Sequence, residues 1–172
     1  MGFAQNIARK VNSIYLTGPT LGERVDKGAV TLPSGASTIE DDLFTVAGGR
    51  VMLRSIVGQV TVIVAVVTTM TVKLTHTPTT GAAVATDMCT GLDTKADIVD
   101  TIYTIPGGVG APMVDDAGAG VAVPSFDTTN KQILQPGVIK MNTVNVGGTG
   151  SGAIKWTLHY IPIDDGATVV AA

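Results

Sequence analysis

The chain has 172 residues, of which 45% are hydrophobic and 4% aromatic, and its formal net charge is −3. This length suffices for one compact domain with a hydrophobic core, and the 11 Lys and Arg residues are too few and too scattered for a nucleic-acid-binding protein. Cys89 is the single cysteine and residues 1–14 lack the continuous apolar segment of a signal peptide, so we expect no intrachain disulfide and synthesis in the cytoplasm.

The first 21 residues differ from the rest of the chain in their hydrophobic period. Their apolar side chains recur at the spacing of one helix face, and these side chains are Phe3, Ile7, Val11 and Ile14. A helix of about three turns is marginal alone, so it needs a surface, either on its own sheet or on a neighbouring subunit. We predict that these four residues form an interface. Residues 1–36 would then be an N-terminal arm and linker, with at most a short strand at residues 29–32, before a domain of residues 37–172.

The domain is predicted to open with residues 37–46, which lead into a strand at residues 43–46, followed by a hairpin or bulge at the glycine-containing residues 47–49. The acidic residues Glu40, Asp41 and Asp42 lie just before residues 43–46, at the entrance of this strand. Three adjacent carboxylates are a conceivable cation site, but neighbouring side chains of a strand face opposite ways. We therefore interpret them as solvated charges.

The most apolar and most β-branched part of the chain extends from Arg50 to Thr77. No charged residue lies between Arg54 and Lys73, so the length alone would permit a membrane span. Serine, glutamine and threonine interrupt the stretch, however, and no aromatic residues flank it. Because Val, Ile and Thr favour a pleated surface, we predict paired buried strands and no contact with a membrane.

Within this stretch the apolar side chains follow a period of two. We predict that residues 46–57 and 59–74 form the central pair of a sheet, with Gly58 as a bulge or as the turn between them. The second strand is apolar on both faces, and such a strand is either covered on both sides or takes part in an interface. The predicted interface residues of this strand are Val62, Val64 and Val66.

The second half of the chain alternates short strands with glycine-rich loops. A strand at residues 98–105, a long loop at 109–123 and one or two strands within 131–145 are predicted. The pattern of residues 138–163 predicts a hairpin whose turn is residues 147–152. In its second strand Ile154, Trp156, Leu158 and Tyr160 should be buried, while Lys155, Thr157 and His159 face solvent. An apolar tail at residues 167–172 is expected to add a last short strand.

Residues that commonly carry chemistry do not form a recognisable motif. His76 and His159 lie in separate predicted strands, which does not favour zinc, and Asp93, Asp97 and Asp100 lack the spacing of a calcium loop. The glycine-rich residues 148–152 precede a strand and not a helix, unlike a phosphate-binding loop. We therefore expect no metal, no cofactor and no enzymatic activity.

Two segments of the chain carry a resemblance to a known family. One is residues 41–51 continued by residues 56–61, and the other is residues 150–167. Both resemble small virion structural proteins of tailed bacteriophages, of the kind that decorates or cements the head. The resemblance implies a β-sandwich or jelly-roll protein, usually a homotrimer, bound to the outside of the major capsid lattice. It carries no functional residues onto this sequence.

The overall prediction is an all-β protein with a single β-sandwich or jelly-roll-like domain and an N-terminal arm or short helix. Its expected location is the capsid surface of a virion, and its expected partners are the major capsid protein and further copies of itself. One alternative is a tail or head-fibre subunit. Another is a carbohydrate-binding sandwich, which would need exposed aromatic residues, and the candidates are Tyr15, Tyr103, Trp156 and Tyr160.

Overall fold

The computed structural model describes residues 22–66, 68–81, 83–105, 111–116, 132–147 and 149–172. These residues form twelve β-strands and no helix. In chain order the strands are β1 (Glu23–Thr31), β2 (Ser37–Ala47), β3 (Val51–Val66), β4 (Met70–Pro78), β5 (Thr86–Asp87), β6 (Leu92–Asp93), β7 (Ile102–Thr104), β8 (Val114–Asp115), β9 (Ile133–Leu134), β10 (Gly137–Asn145), β11 (Gly150–Pro162) and β12 (Thr168–Ala171). The predicted helix of the first 21 residues lies outside the described residues.

The strands form two antiparallel sheets that pack against each other, which confirms the predicted β-sandwich. The first sheet has the order β1-β11-β3-β7-β8, with β9 also paired to β3. The second has the order β12-β2-β10-β4-β5, with β6 also paired to β4. Strands from the start of the chain thus lie beside strands from its end. In the first sheet β11 lies between β1 and β3, and in the second sheet β10 lies between β2 and β4. The chain passes repeatedly from one sheet to the other. This is the connectivity of a jelly roll.

The core lies between the two sheets and is filled by the alternate residues of each long strand. In β11 the side chains of Ile154, Trp156, Leu158 and Tyr160 are buried, whereas Lys155 is exposed and Thr157 and His159 are partly exposed. The predicted faces of this strand are therefore confirmed. Phe44 of β2, Met141 of β10 and Leu74 of β4 supply the opposite side of the same core.

Gly58 does not interrupt β3, contrary to the prediction of a bulge or a turn at this residue. It pairs directly with Trp156 of β11. A Cβ atom at residue 58 would lie only 2.8 and 2.9 Å from two carbons of the indole ring. The strand continues through Gly58 because the missing side chain makes room for Trp156.

Two predicted strand pairs are wrong. Residues 51–57 and 59–66, which were expected to lie in two paired strands, form the single continuous strand β3 of the first sheet, and residues 70–74 belong to β4 of the second sheet, so the expected central pair does not exist. The expected C-terminal hairpin is also absent, since β10 pairs with β2 and β4 while β11 pairs with β1 and β3. The apolar faces of β10 and β11 meet across the core and not within one sheet.

The sandwich begins earlier in the chain than residue 37. Where at most a short strand at residues 29–32 was expected, β1 covers Glu23–Thr31 and pairs with β11 from Tyr160 to Ala153. The alternation of apolar and polar residues in β1 is not evident in the sequence, because the strand is rich in charged residues and only Val25 and Val30 of β1 contact the core. The predicted division between an arm and a domain therefore stays a prediction only for residues 1–21.

A contact between two turns joins the start of β3 to the end of β11. Asp164 accepts hydrogen bonds from Arg50 through the backbone N at 2.7 Å, the side-chain Nε at 2.9 Å and Nη2 at 2.7 Å. Ile163 N also donates to the Arg50 carbonyl at 2.9 Å. The turn between β2 and β3 is thereby held against the turn between β11 and β12.

Acidification is expected to weaken the Arg50–Asp164 contact. Hydrogen bonds from the Arg50 side chain and backbone lower the pKa of Asp164 to about 2, whereas an unfolded aspartate titrates at about 3.9. Ionised Asp164 therefore stabilises the folded state above the unfolded pKa, and this stabilisation is lost as the pH falls through the folded pKa. The difference in Tm between the wild type and Asp164→Asn should shrink between pH values of about 4 and about 2. Thermal unfolding at a series of pH values measures it, and a constant difference would contradict this account.

Candidate interaction surface

The interface residues predicted from sequence differ in their exposure to solvent. Val64 is fully buried in the core, whereas Val62 is 48% exposed. Val66 ends β3, where it pairs with Gly150. Phe3, Ile7, Val11 and Ile14 lie outside the described residues. Of the seven predicted interface residues, Val62 is thus the one whose side chain is shown to be available to a partner.

Irregular pairing explains why Val62 is exposed between two buried valines. On each side of Ala153, β3 contains one residue more than the β11 segment with which it pairs. This is seen in the pairs Val60↔Ile154, Val62↔Ala153 and Ala65↔Ser151. Such bulges interrupt the period of two. Val60 and Val64 consequently remain in the core, while both Val62 and the adjacent Ile63 are about half exposed.

Two further apolar residues lie beside Val62 and Ile63. The segment 97–100 runs along β3, since Val64 N donates to Asp97 O at 2.9 Å and Asp100 N donates to Val60 O at 2.9 Å. The residues between these hydrogen bonds, Ile98 and Val99, are 54% and 48% exposed. We call Val62, Ile63, Ile98 and Val99 the apolar end patch. Exposed apolar residues on adjacent segments mark an interaction site more often than scattered residues do.

The loop that carries Ile98 and Val99 is fastened on both sides. The Tyr103 hydroxyl donates to Asp97 Oδ2 at 2.6 Å, and Gln59 Nε2 donates to Asp100 Oδ1 at 2.6 Å. Ala96 and Asp100 have φ values of 67° and 72°, a region that is unfavourable for residues other than glycine. Backbone strain of this type persists only where surrounding contacts enforce it. The loop therefore presents its two apolar side chains in a fixed position.

The aspartates considered as a cation site accept hydrogen bonds from the loop and from neighbouring strands. Asp93 Oδ1 accepts hydrogen bonds from Met70 N and Lys95 N, at 3.3 and 3.1 Å. Asp97 and Asp100 bind Tyr103 and Gln59, as described above. Burial raises the pKa of Asp97, with a smaller opposing effect from Tyr103. Among the described residues no group of three or more His, Cys, Asp or Glu side chains is arranged to hold a metal ion.

The second acidic group, Glu40, Asp41 and Asp42, is divided between the two faces of β2. Lys140 Nζ lies 3.4 Å from Glu40 Oε2 and 3.5 Å from Asp42 Oδ1. Asp41 pairs with the buried Met141 of β10 and faces the other way, and burial raises its pKa. The two outer carboxylates are thus partners of one lysine on a solvated face, as the strand geometry predicts.

The two histidines also occupy different sheets. His76 of β4 contacts the Gln135 carbonyl through Nε2 at 3.1 Å, and burial lowers its pKa. His159 of β11 contacts Ser55 Oγ through Nδ1 at 3.3 Å on the outer face of the first sheet. Each histidine therefore has its own local partner.

The aromatic residues proposed for sugar stacking are buried where the structure describes them. Tyr103, Trp156 and Tyr160 belong to the core, and Tyr15 lies outside the described residues. Their ring faces are therefore occupied by protein contacts and are not available to a sugar.

Comparisons with known proteins leave the family of this chain open. No protein-family model and no curated protein matches it. A chain in the structure of infectious bursal disease virus, Gx strain, is 14% identical and gives a TM-score of 0.22. That match covers 87% of this chain but only 36% of the viral chain, and a TM-score this low does not establish a shared fold. In the described part of the chain, no helix is long and apolar enough to cross a membrane.

Proposed function

We propose that this protein is a structural protein of a virion that decorates and cements the outside of a tailed-bacteriophage capsid. The observation that supports the proposal is the position of the two segments that resemble such proteins. The first segment, residues 41–51 continued by residues 56–61, is far from residues 150–167 in the chain, yet the part of it that lies in β3 pairs with them in the first sheet, whereas residues 41–47 belong to β2 of the second sheet. Strands β3 and β11 pair along their length, from Val51↔Pro162 to Val66↔Gly150, and the Arg50–Asp164 contact joins their ends.

A cementing role needs surface and rigidity more than chemistry. A protein that binds only the assembled shell stabilises that shell by mass action. The sandwich supplies a rigid scaffold, and the apolar end patch supplies a surface for contact with another subunit. Under this proposal the partners are the major capsid protein and further copies of the chain.

The alternative functions differ in where the protein would be found. A tail or head-fibre subunit would use the same sandwich at another position on the particle. A carbohydrate-binding module would use exposed aromatic side chains, but Tyr103, Trp156 and Tyr160 are buried. No feature of the described residues favours this second alternative.

Electron microscopy of the native particles, with an antibody against the sandwich domain as label, tests the proposal. Label on the outer surface of the head is the expected result. Label on the tail or on fibres would contradict the decorating role and would indicate a tail or head-fibre subunit. Particles without label, from a preparation in which no protein reacts with the antibody even after denaturation, would overturn a virion role.

We also expect the purified protein to be a homotrimer that assembles through the apolar end patch. Burial of a charge in an apolar contact is costly, so Ile98→Asp should convert the trimer into monomers at micromolar concentration. Val170→Asp is the matched control, because Val170 is equally exposed, at 54%, but lies on β12 of the other sheet. Light scattering measures both variants, and a wild-type monomer would contradict the expectation.

A further inference from the structure

A second exposed apolar surface lies on the outer face of the first sheet. Ile161 of β11, Met52 of β3 and Ile133 of β9 are in register across three neighbouring strands. Their chain neighbours Tyr160, Leu53 and Leu134 are buried, so these three side chains point away from the core. Ile133 is 60% exposed, and the other two are partly exposed. We call Ile161, Met52 and Ile133 the outer row.

The outer row has a sharp polar border. The next pair on the same face is His159 and Ser55, which contact each other at 3.3 Å, and Arg24 of β1 follows beside His159. Side chains of directly paired residues lie about 4.5–5.5 Å apart. The row is therefore a narrow apolar strip that is one residue wide on each strand.

The undescribed N-terminal segment joins the sandwich beside this strip. Gly22 is the first described residue, and a Cβ atom there would lie 3.5 Å from Ile161 Cγ1. Residues 1–21 therefore extend from a point in contact with one end of the outer row. The seven residues from Tyr15 to Leu21 reach at most about 23 Å when extended, whereas the row crosses two strand spacings, or about 10 Å. The linker is thus long enough for the stripe to return along the row.

We propose that the apolar stripe of Phe3, Ile7, Val11 and Ile14, which the sequence analysis assigned to an interface with a partner, docks instead on the outer row of its own molecule. The stripe is too short to hold a helix alone, and the row is an exposed apolar strip directly beside the point of attachment. A short linker gives an effective concentration in the millimolar range, so this contact is favoured over the same contact on a neighbouring copy at micromolar concentration. The docking does not depend on whether the protein decorates a capsid.

A double-mutant cycle in the full-length chain tests the contact. Ile133→Lys and Ile7→Lys should each lower the Tm by on the order of 3–8 °C, and the double variant should lower it no further. A lysine at a bare, exposed site would scarcely change the Tm. Val170→Lys is the control, since it should show no coupling to Ile7→Lys. Additive shifts, or an unchanged Tm for Ile133→Lys, would overturn the proposal.

Cross-linking then separates docking within one molecule from docking between molecules. Ile7→Cys and Ile133→Cys are combined in one chain and treated with a flexible bis-maleimide. Cys89 is fully buried and should not react in the folded protein. A monomer with an internal cross-link supports the proposal, whereas covalent dimers or larger products would show that the stripe docks on a neighbouring copy and would overturn it. Neither experiment uses particles, so its failure is distinct from failure of the decorating role.

Discussion

Truncation of Trp156 to alanine should destabilise the protein by about 3–5 kcal/mol, the range for a large buried aromatic residue. Trp156 is the largest buried side chain of the sandwich and lies between β1 and β3, paired with Lys27 and Gly58. Its indole Nε1 has no hydrogen-bond partner among the described residues, so the expected loss is one of packing. Lys155→Ala, on the outer face of the same strand, should cost well under about 1 kcal/mol. Urea denaturation of both variants measures the difference, and equal values would contradict the assigned faces.

Gly58 provides an internal check on this prediction. In the wild type, Gly58→Ala places a methyl group against the indole ring and should cost about 1–3 kcal/mol. In the Trp156→Ala background the same methyl group enters the space left by the ring. The cost of Gly58→Ala should then disappear, and the coupling in a double-mutant cycle reports the direct contact. Equal costs in both backgrounds would show that Gly58 is constrained by something other than Trp156.

Local pattern predicted the faces of the strands well. The alternation of Ile154, Trp156, Leu158 and Tyr160 with polar residues identified the buried side of β11 from sequence alone, because a period of two reflects only the geometry of the strand and the position of the core. The strand residues 43–46 and the short C-terminal strand were located for the same reason. These features depend on residues within one segment.

Features that depend on distant residues were not predicted. Gly58 looks like a strand breaker until its partner Trp156 is known. Strands β10 and β11 are joined by a glycine-rich turn that is typical of a hairpin, yet each pairs with earlier strands of a different sheet. The sheet to which each strand belongs depends on which apolar faces pack together across the core. The residues next to a strand in the sequence do not indicate this.

The candidate surface was predicted only in part for the same reason. Val62 was identified from its apolar strand, but its exposure results from bulges opposite Ala153 that the sequence does not reveal. Ile98 and Val99 were assigned to a strand, whereas they form the tip of a strained loop. The available signal was a β-branched pair between Asp97 and Asp100, since charged neighbours on both sides are unusual for a buried strand.

A second large effect is expected at the meeting point of the two turns that join the sheets. Gly48 has φ of +73°, and for alanine this left-handed conformation costs roughly 1–2 kcal/mol. A Cβ atom at this residue would also overlap the backbone carbonyl of Gly166, which adds about 1–3 kcal/mol because backbone atoms cannot move aside as a side chain can. Gly48→Ala should therefore lower the free energy of unfolding by about 2–5 kcal/mol.

Two other glycines separate these contributions. Gly166 has φ of +80° but open space around its Cβ position, so Gly166→Ala should cost only the conformational part, roughly 1–2 kcal/mol. Gly35 has neither a left-handed φ nor a neighbour within 4 Å, so Gly35→Ala should be neutral or stabilising by up to about 1 kcal/mol. Denaturant unfolding should thus rank the losses Gly48, Gly166, Gly35. A loss at Gly48 no larger than that at Gly166 would mean that the two turns do not pack against each other, and would remove one of the contacts that unite the segments on which the proposed function rests.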